Sequence, residues 1–220
     1  MKKFSYQQKR SMRRQIIMYR NEVIVYGTLV EKLSFHHYVR DRKIFSAKLS
    51  VKRRSGTSDI LMIQISEWKL KEIEELEVGD EVGICGEIRT YTYTGRNGKV
   101  HNKNYVYIEK IWATLNIPDP NNEVKVTGKI VEKRTIRKTP SGKEIIDIRI
   151  ATQSNKGNQW SYIPIIFWDE TAKEVEEQYN TGDMISLVGR YQSRNYIKRY
   201  SGDVIVDKVT YEISALKLGL

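Results

Sequence analysis

Apolar and polar residues alternate along most of this chain. Phe45, Ala47, Leu49 and Val51 are interleaved with Ser46, Lys48 and Ser50, and Ile146, Ile148 and Ile150 with Asp147, Arg149 and Ala151. Successive side chains of a strand leave opposite faces, so a period of two with one polar face marks half-buried antiparallel strands. The runs 60–65 and 163–168 are more continuously apolar, and each leads into one helical segment, 67–77 and 169–179, stopped by a glycine soon after. Two further strands follow in each half, around 81–90 with 105–112 and around 184–192 with 204–211. Between them lie the glycine-bearing hairpins 94–99 and 199–203.

The two halves are copies. Asn21-Glu22-Val23-Ile24-Val25-Tyr26-Gly27 reappears as Asn122-Glu123-Val124-Lys125-Val126-Thr127-Gly128, an offset of 101 residues. Lys71-Glu72-Ile73-Glu74-Glu75 answers Lys173-Glu174-Val175-Glu176-Glu177 at an offset of 102, and Val78-Gly79-Asp80 answers Thr181-Gly182-Asp183 at 103. So small a drift over half the chain indicates duplication. The order strand, strand, strand, helix, strand, strand is that of a five-stranded OB barrel. The expected fold class is therefore all-β with one short helix per domain: tandem five-stranded OB-fold β-barrels. The expected division is a basic N-terminal arm over 1–20, a first barrel over 21–114, a linker over 115–121 and a second barrel over 122–220. Pro118 and Pro120, set among Asn and Asp, break both helix and strand and make the linker short and partly stiff.

Charge narrows the partner. The chain of 220 residues carries a net charge of +11, and a strongly basic globular protein pairs with polyanions or simply bears a basic surface. Lys2, Lys3, Lys9, Arg10, Arg13, Arg14 and Arg20 fall in the first twenty residues with no acid among them. This is either an arm for phosphates or a solvated tail. No run of eighteen apolar residues suits a membrane span, and a lone cysteine allows no intrachain disulfide. These features lead to an expectation of a cytoplasmic protein with no membrane partner. Cys85 aligns with Val188 and reads as a small core residue.

Catalytic motifs are missing: the chain contains no GxxxxGK[ST] loop, GxSxG elbow or HExxH. The acids at 72–77 read as a solvated helix face, and the carboxylate cluster that a metal-dependent nuclease needs is not seen. His36 and His37 are neighbours on a strand, where side chains diverge, so they are not expected to chelate, and His101 sits alone in a hairpin. No enzyme activity, cofactor or metal is expected.

The second repeat resembles the bacterial single-stranded DNA-binding protein family. Residues 122–130 resemble its opening strand, 139–142 with 148–152 its first hairpin and second strand, 162–168 its third strand, and 182–183 with 189–196 the start and exit of its fourth. The resemblance implies that Tyr162, Trp168 and Tyr196 stack on bases and that Arg194 touches the nucleic-acid backbone. The physics of the ligand agrees. A single strand offers unstacked bases on a flexible polyanion, and each base–aromatic stack contributes about 1–3 kcal/mol whatever the base. Strand aromatics also fill cores, but Ile163, Ile165 and Phe167 already supply an apolar face, which leaves Tyr162, Pro164, Ile166 and Trp168 on the other. Trp160 lies in a polar hairpin tip beside Lys156, where it either meets the strand or packs back on its barrel. Arg149, Arg190, Lys138 and Lys156 are the expected phosphate contacts.

The first repeat departs from this pattern. Ile60 and Ser66 stand where Tyr162 and Trp168 would, while Tyr93 matches Tyr196 and has Arg89 and Tyr91 nearby. The segment 34–40 adds aromatic and basic groups. The first barrel is thus either a differently arranged binder or mainly a dimerisation unit. The expected function is binding of single-stranded DNA with little sequence preference, protecting it during replication, recombination or repair. The alternative is an OB-fold primosome or assembly factor acting through protein–protein contacts. The resemblance also implies a homodimer displaying four OB folds. The family's acidic tail has no counterpart in 215–220, so recruitment of replication enzymes is not part of the expectation.

Overall fold

Each half of the chain closes one strand ladder on itself. The computed structural model describes residues 19–73, 75–95, 98–154, 159–199 and 205–220, with backbone alone at 72, 196–199 and 205–208. Most of the basic arm expected over 1–20 falls outside the described residues, and Arg20 already belongs to the first strand. The first barrel comprises β1 (Arg20–Leu29), β2 (Ser34–Val39), β3 (Arg42–Lys52), β4 (Ser58–Ser66), a 3-10 helix (Glu67–Glu72), β5 (Glu81–Thr94) and β6 (Val100–Ala113). The second comprises β7 (Asn122–Lys133), β8 (Arg137–Lys138), β9 (Glu144–Gln153), β10 (Trp160–Trp168), α1 (Asp169–Gln178), β11 (Met184–Arg199) and β12 (Ile205–Leu218).

In the first barrel β1 pairs with both β3 and β5, β3 with β4, β5 with β6, and a short parallel pairing of β4 with β6 completes the circle. The second barrel repeats this closure through β7, β9, β10, β12 and β11. Alternation sorts the side chains as the pattern requires. Leu49, Val51, Leu61, Ile63 and Ile65 fill the first interior, and Ile146, Ile150, Ile163, Ile165 and Phe167 the second. Ile166 departs from the expected outer face and is buried, where β10 runs beside β12. Cys85 is half-buried rather than core, and burial pushes its thiol pKa up.

The two helices differ. In α1, Asp169 and Glu170 occupy the first turn, where they complement the helix dipole, and Ala172 and Val175 plug the barrel end. The first repeat forms only a 3-10 helix.

The barrels are joined edge to edge. β1 runs antiparallel to β7 from Arg20 opposite Thr127 to Val25 opposite Asn122. At the centre Val23 faces Val124, its own counterpart in the repeat, so the halves are related by a pseudo-two-fold axis. Asn21 brackets Ile88, accepting from its N–H at 3.0 Å and donating to its carbonyl at 2.8 Å. Asn122 does the same to Tyr191 at 2.9 and 2.7 Å. The linker is tied down as well: the Tyr26 N–H donates to the Asn121 carbonyl at 2.8 Å, and Asn121 Nδ2 donates to the Lys52 carbonyl at 2.9 Å.

Two bulges recur. The ladders β5–β6 and β11–β12 shift register between Cys85 and Gly86 and between Val188 and Gly189. A Cβ on Gly86 would collide with the Tyr107 carbonyl, and one on Gly189 would lie 2.6 Å from the Ser214 carbonyl, so only glycine lets these strands approach. A third shift lies in β2, between Phe35 and His37. It overturns the expectation that His36 and His37 diverge. The extra residue of a bulge breaks strict alternation, and the two Nδ1 atoms stand 2.7 Å apart.

Candidate nucleic-acid interface

The hairpin of β5 and β6 has two chemically distinct faces. Arg89, Tyr91 and Tyr93 leave one side, opposite Tyr105, Lys103 and His101 in the register. Thr90 and Thr92 leave the other, paired with Asn104 at 2.9 Å and Asn102 at 2.8 Å. The hydroxyl face meets the second barrel. Thr90 Oγ1 accepts from the Tyr162 N–H at 2.8 Å and donates to the Tyr162 carbonyl at 3.1 Å. This contact sets β10 beside β5 and opens a groove of about 180 Å³ between the barrels, lined by Tyr93, His101, Lys103, Arg149, Tyr162 and Pro164. Residues expected in separate barrels are thereby brought to one site.

Tyr162 is 43% exposed at this groove, carried outward by the alternation that buries Ile163. Arg149 lies beside it and also pairs with Glu132 at 3.1 Å. Trp168, at the other end of β10, is half-buried. Its indole N–H donates to Ser214 Oγ at 3.1 Å, and Lys143 Nζ lies 6.0 Å from the ring centre. Trp160 is 45% exposed and meets Tyr19 edge-on at 5.2 Å. Lys138 is exposed and 3.9 Å from Glu144. Lys156 lies outside the described residues. Tyr196 is described by its backbone, which pairs with Lys208.

Three arginines among the candidate contacts, Arg194, Arg89 and Arg190, are paired with buried carboxylates, which need a cation once removed from water. Arg194 donates through Nε and Nη2 to Glu212 at 3.0 Å each. Arg89 pairs with Glu87 at 2.5 Å while its guanidinium lies 3.4 Å from the Tyr107 ring centre. Arg190 reaches across the barrel interface to Asp59 at 3.6 Å. Burial pulls its pKa down, and Asp59 opposes that shift. Asp59 is wholly buried. It also holds Arg53, and accepts from the Ser193 N–H at 2.8 Å and from Ser193 Oγ at 3.2 Å. Arg190 thus also takes part in the joint between the barrels.

The first barrel carries more rings than the sequence pattern disclosed. Tyr91 and Tyr93 stack with centres 5.8 Å apart, and Tyr93 stacks on His101 at 5.2 Å. A second groove, about 410 Å³, is lined by His37, Arg40, Arg42, Arg89 and Tyr107 on the first barrel and closed by Ser154 and Gln159 from the second. The neighbours of Tyr105, Tyr107 and His101 could not be read from sequence, because their register is set by the bulge at Gly86. The alternation of 101, 103, 105 and 107 was the available signal. Among the described residues, no three His, Cys, Asp or Glu side chains gather as a metal site, and no helix is long and apolar enough to cross a membrane.

Residues 121–219 match the model of the single-strand binding protein family. Among curated relatives, the single-stranded DNA-binding protein of Streptococcus mutans is 27% identical over 93 residues, covering 40% of this chain and 57% of that protein. That of Enterococcus faecalis is 27% identical over 96 residues, covering 41% and 51%. The matched region thus spans little more than half the length of these relatives. The wild-type single-stranded DNA-binding protein from Thermus aquaticus superposes with a TM-score of 0.71 at 18% identity, covering 92% of this chain and 93% of that one. At such identity the likeness is one of fold, and it extends over both barrels. The second barrel is thus similar to the single-strand binding protein family, and the chain as a whole has the fold of two OB barrels in tandem.

Proposed function

We propose that this protein binds single-stranded DNA with little sequence preference, stacking bases on exposed rings and neutralising phosphates with lysines and arginines. Protection of exposed strands during replication, recombination or repair is the role that follows. The observation that carries the reading is the inter-barrel groove, where Tyr162, Tyr93, Arg149 and Lys103 combine rings and cations from both repeats. Such a surface accepts any base, because every base has a π-face. No bond-breaking step is part of this reading. Tryptophan fluorescence titrated with oligo(dT) and with duplex tests it. Strong quenching by the single strand alone is expected, and equal response to both would sink it.

A second reading, as an assembly factor working through protein contacts, draws on the first barrel. Phe35, Tyr38 and Trp68 are 50%, 60% and 63% exposed there. Replacing all three by serine should leave oligo(dT) binding intact if they serve a protein partner. We also propose a homodimer presenting four OB folds.

A further inference from the structure

The chain has three histidines, and all three meet on one surface of the first barrel. His36 and His37 come from the bulged β2, His101 from β6, and Tyr91 and Tyr93 bridge them from β5. Ring centres run from His37 to Tyr91 at 5.2 Å, to Tyr93 at 5.8 Å and to His101 at 5.2 Å, and His36 lies 6.0 Å from Tyr91. These are distances of rings already in contact, so a base would meet the ends and the flank of the row rather than slot between its members. Each end opens on a basic groove. His37 lines the one with Arg40, Arg42 and Arg89, and His101 lines the one with Lys103 and Arg149. The row also spans the two hairpins, β2–β3 and β5–β6, with which OB folds grip oligonucleotides.

We propose that this row of imidazole and tyrosine rings is a binding track for unpaired bases and their phosphates, joining the two grooves, and that it tightens as its histidines take up protons. The inference rests on the single-strand reading above and adds to it a second track with its own pH response.

The surroundings set the sign. Arg40, Arg42 and Arg89 face His37, and the carboxylate beside them, Glu87, is already held by Arg89. Asp41 lies in the turn of the same hairpin. Lys103 and Tyr93 face His101, and Arg149 approaches from the second barrel with Glu132 as its partner. Burial and then the neighbouring His36 pull the pKa of His37 down. An arriving phosphate reverses the field, so binding raises the imidazole pKa values and takes up protons. Affinity therefore rises as pH falls through them. The Nδ1 contact between His36 and His37 needs one hydrogen, not two, so that pair accepts a single proton on a remaining nitrogen.

The test is the affinity of the full chain for oligo(dT) between roughly pH 5.5 and pH 8, at fixed salt, for wild type and for the triple variant His36→Gln, His37→Gln, His101→Gln. Thymine does not titrate in this window. Wild type should bind about tenfold more tightly at the acid end, the effect of a one-unit rise in one imidazole pKa. Its log–log salt slope there should steepen by about 0.7 per added phosphate contact. The triple variant should bind more weakly than wild type at the alkaline end, because the rings of the track are lost, and should lose both responses. His101→Gln alone, at the hairpin end, should lose part of the response and serves if the triple variant does not fold. A flat wild-type profile, or a variant that keeps the response, overturns the proposal while leaving strand binding in place. Failure of wild type to bind oligo(dT) at any pH removes both readings together.

Discussion

Tyr162 and Trp168 leave the same strand but meet different neighbours, and their substitutions should separate accordingly. Tyr162 is exposed at the groove and is tied to Thr90 only through its backbone. Tyr162→Ala should weaken oligo(dT) binding by about 1–3 kcal/mol, the worth of one stack, with an unchanged melting temperature. Trp168 is half-buried and hydrogen-bonded to Ser214. Trp168→Ala should lower both binding and melting temperature, and Trp168→Phe should restore more of the second than of the first. Asp59→Asn should cost about 3–5 kcal/mol of folding, since it leaves the cations Arg53 and Arg190 without their buried carboxylate. Equilibrium denaturation measures it. At this scale the sequence discloses which side chains are basic and aromatic, not which cations are already spoken for. Asp59 lies more than a hundred residues from Arg190 and Ser193, so no local pattern could pair them.

Strands, by contrast, were legible as elements because alternation is local. The interior residues of β3, β4, β9 and β10 follow from it, and so does barrel closure once the repeat is seen. What escaped was register. The hairpins of β5–β6 and β11–β12 extend further than the apolar pattern, because their outer halves are built of polar and aromatic residues on a two-sided ribbon. A one-residue slip would exchange the ring face of β5–β6 for its threonine face. The bulge at Gly86 prevents that, and it requires glycine because a side chain there would strike the Tyr107 carbonyl. Gly86→Ala should therefore lower stability by about 1–3 kcal/mol, as overpacking does. It should also weaken DNA binding through displacement of Tyr91 and Tyr93. Gly189→Ala should do the same to the second barrel. Thermal melts with parallel oligo(dT) titrations check both, and binding untouched by a destabilising Gly86→Ala would detach the bulge from function.

For the molecule as a whole, the excess of basic residues should appear as a steep salt dependence, with a log–log slope of about −0.7 per phosphate neutralised. Removing residues 1–18, which hold six of the chain's lysines and arginines and no acid, should reduce that slope without abolishing binding. Light scattering at micromolar concentration should give twice the 25.8 kDa chain mass, and a monomer would count against the four-barrel arrangement.

The pairing of Val23 with Val124 gives one chain the geometry of a symmetric dimer without the constraint a true one bears. When two identical subunits meet, each substitution is written twice, and a charge placed on the contact must tolerate its own image. Here the two sides of the joint have become unlike. On one, Thr90 holds the backbone of β10; on the other, Asp59 gathers Arg53, Arg190 and Ser193. Each half therefore brings contacts to the joint that its twin does not repeat. The two barrels are free to be tuned singly, and a ring added to one leaves its twin as it was.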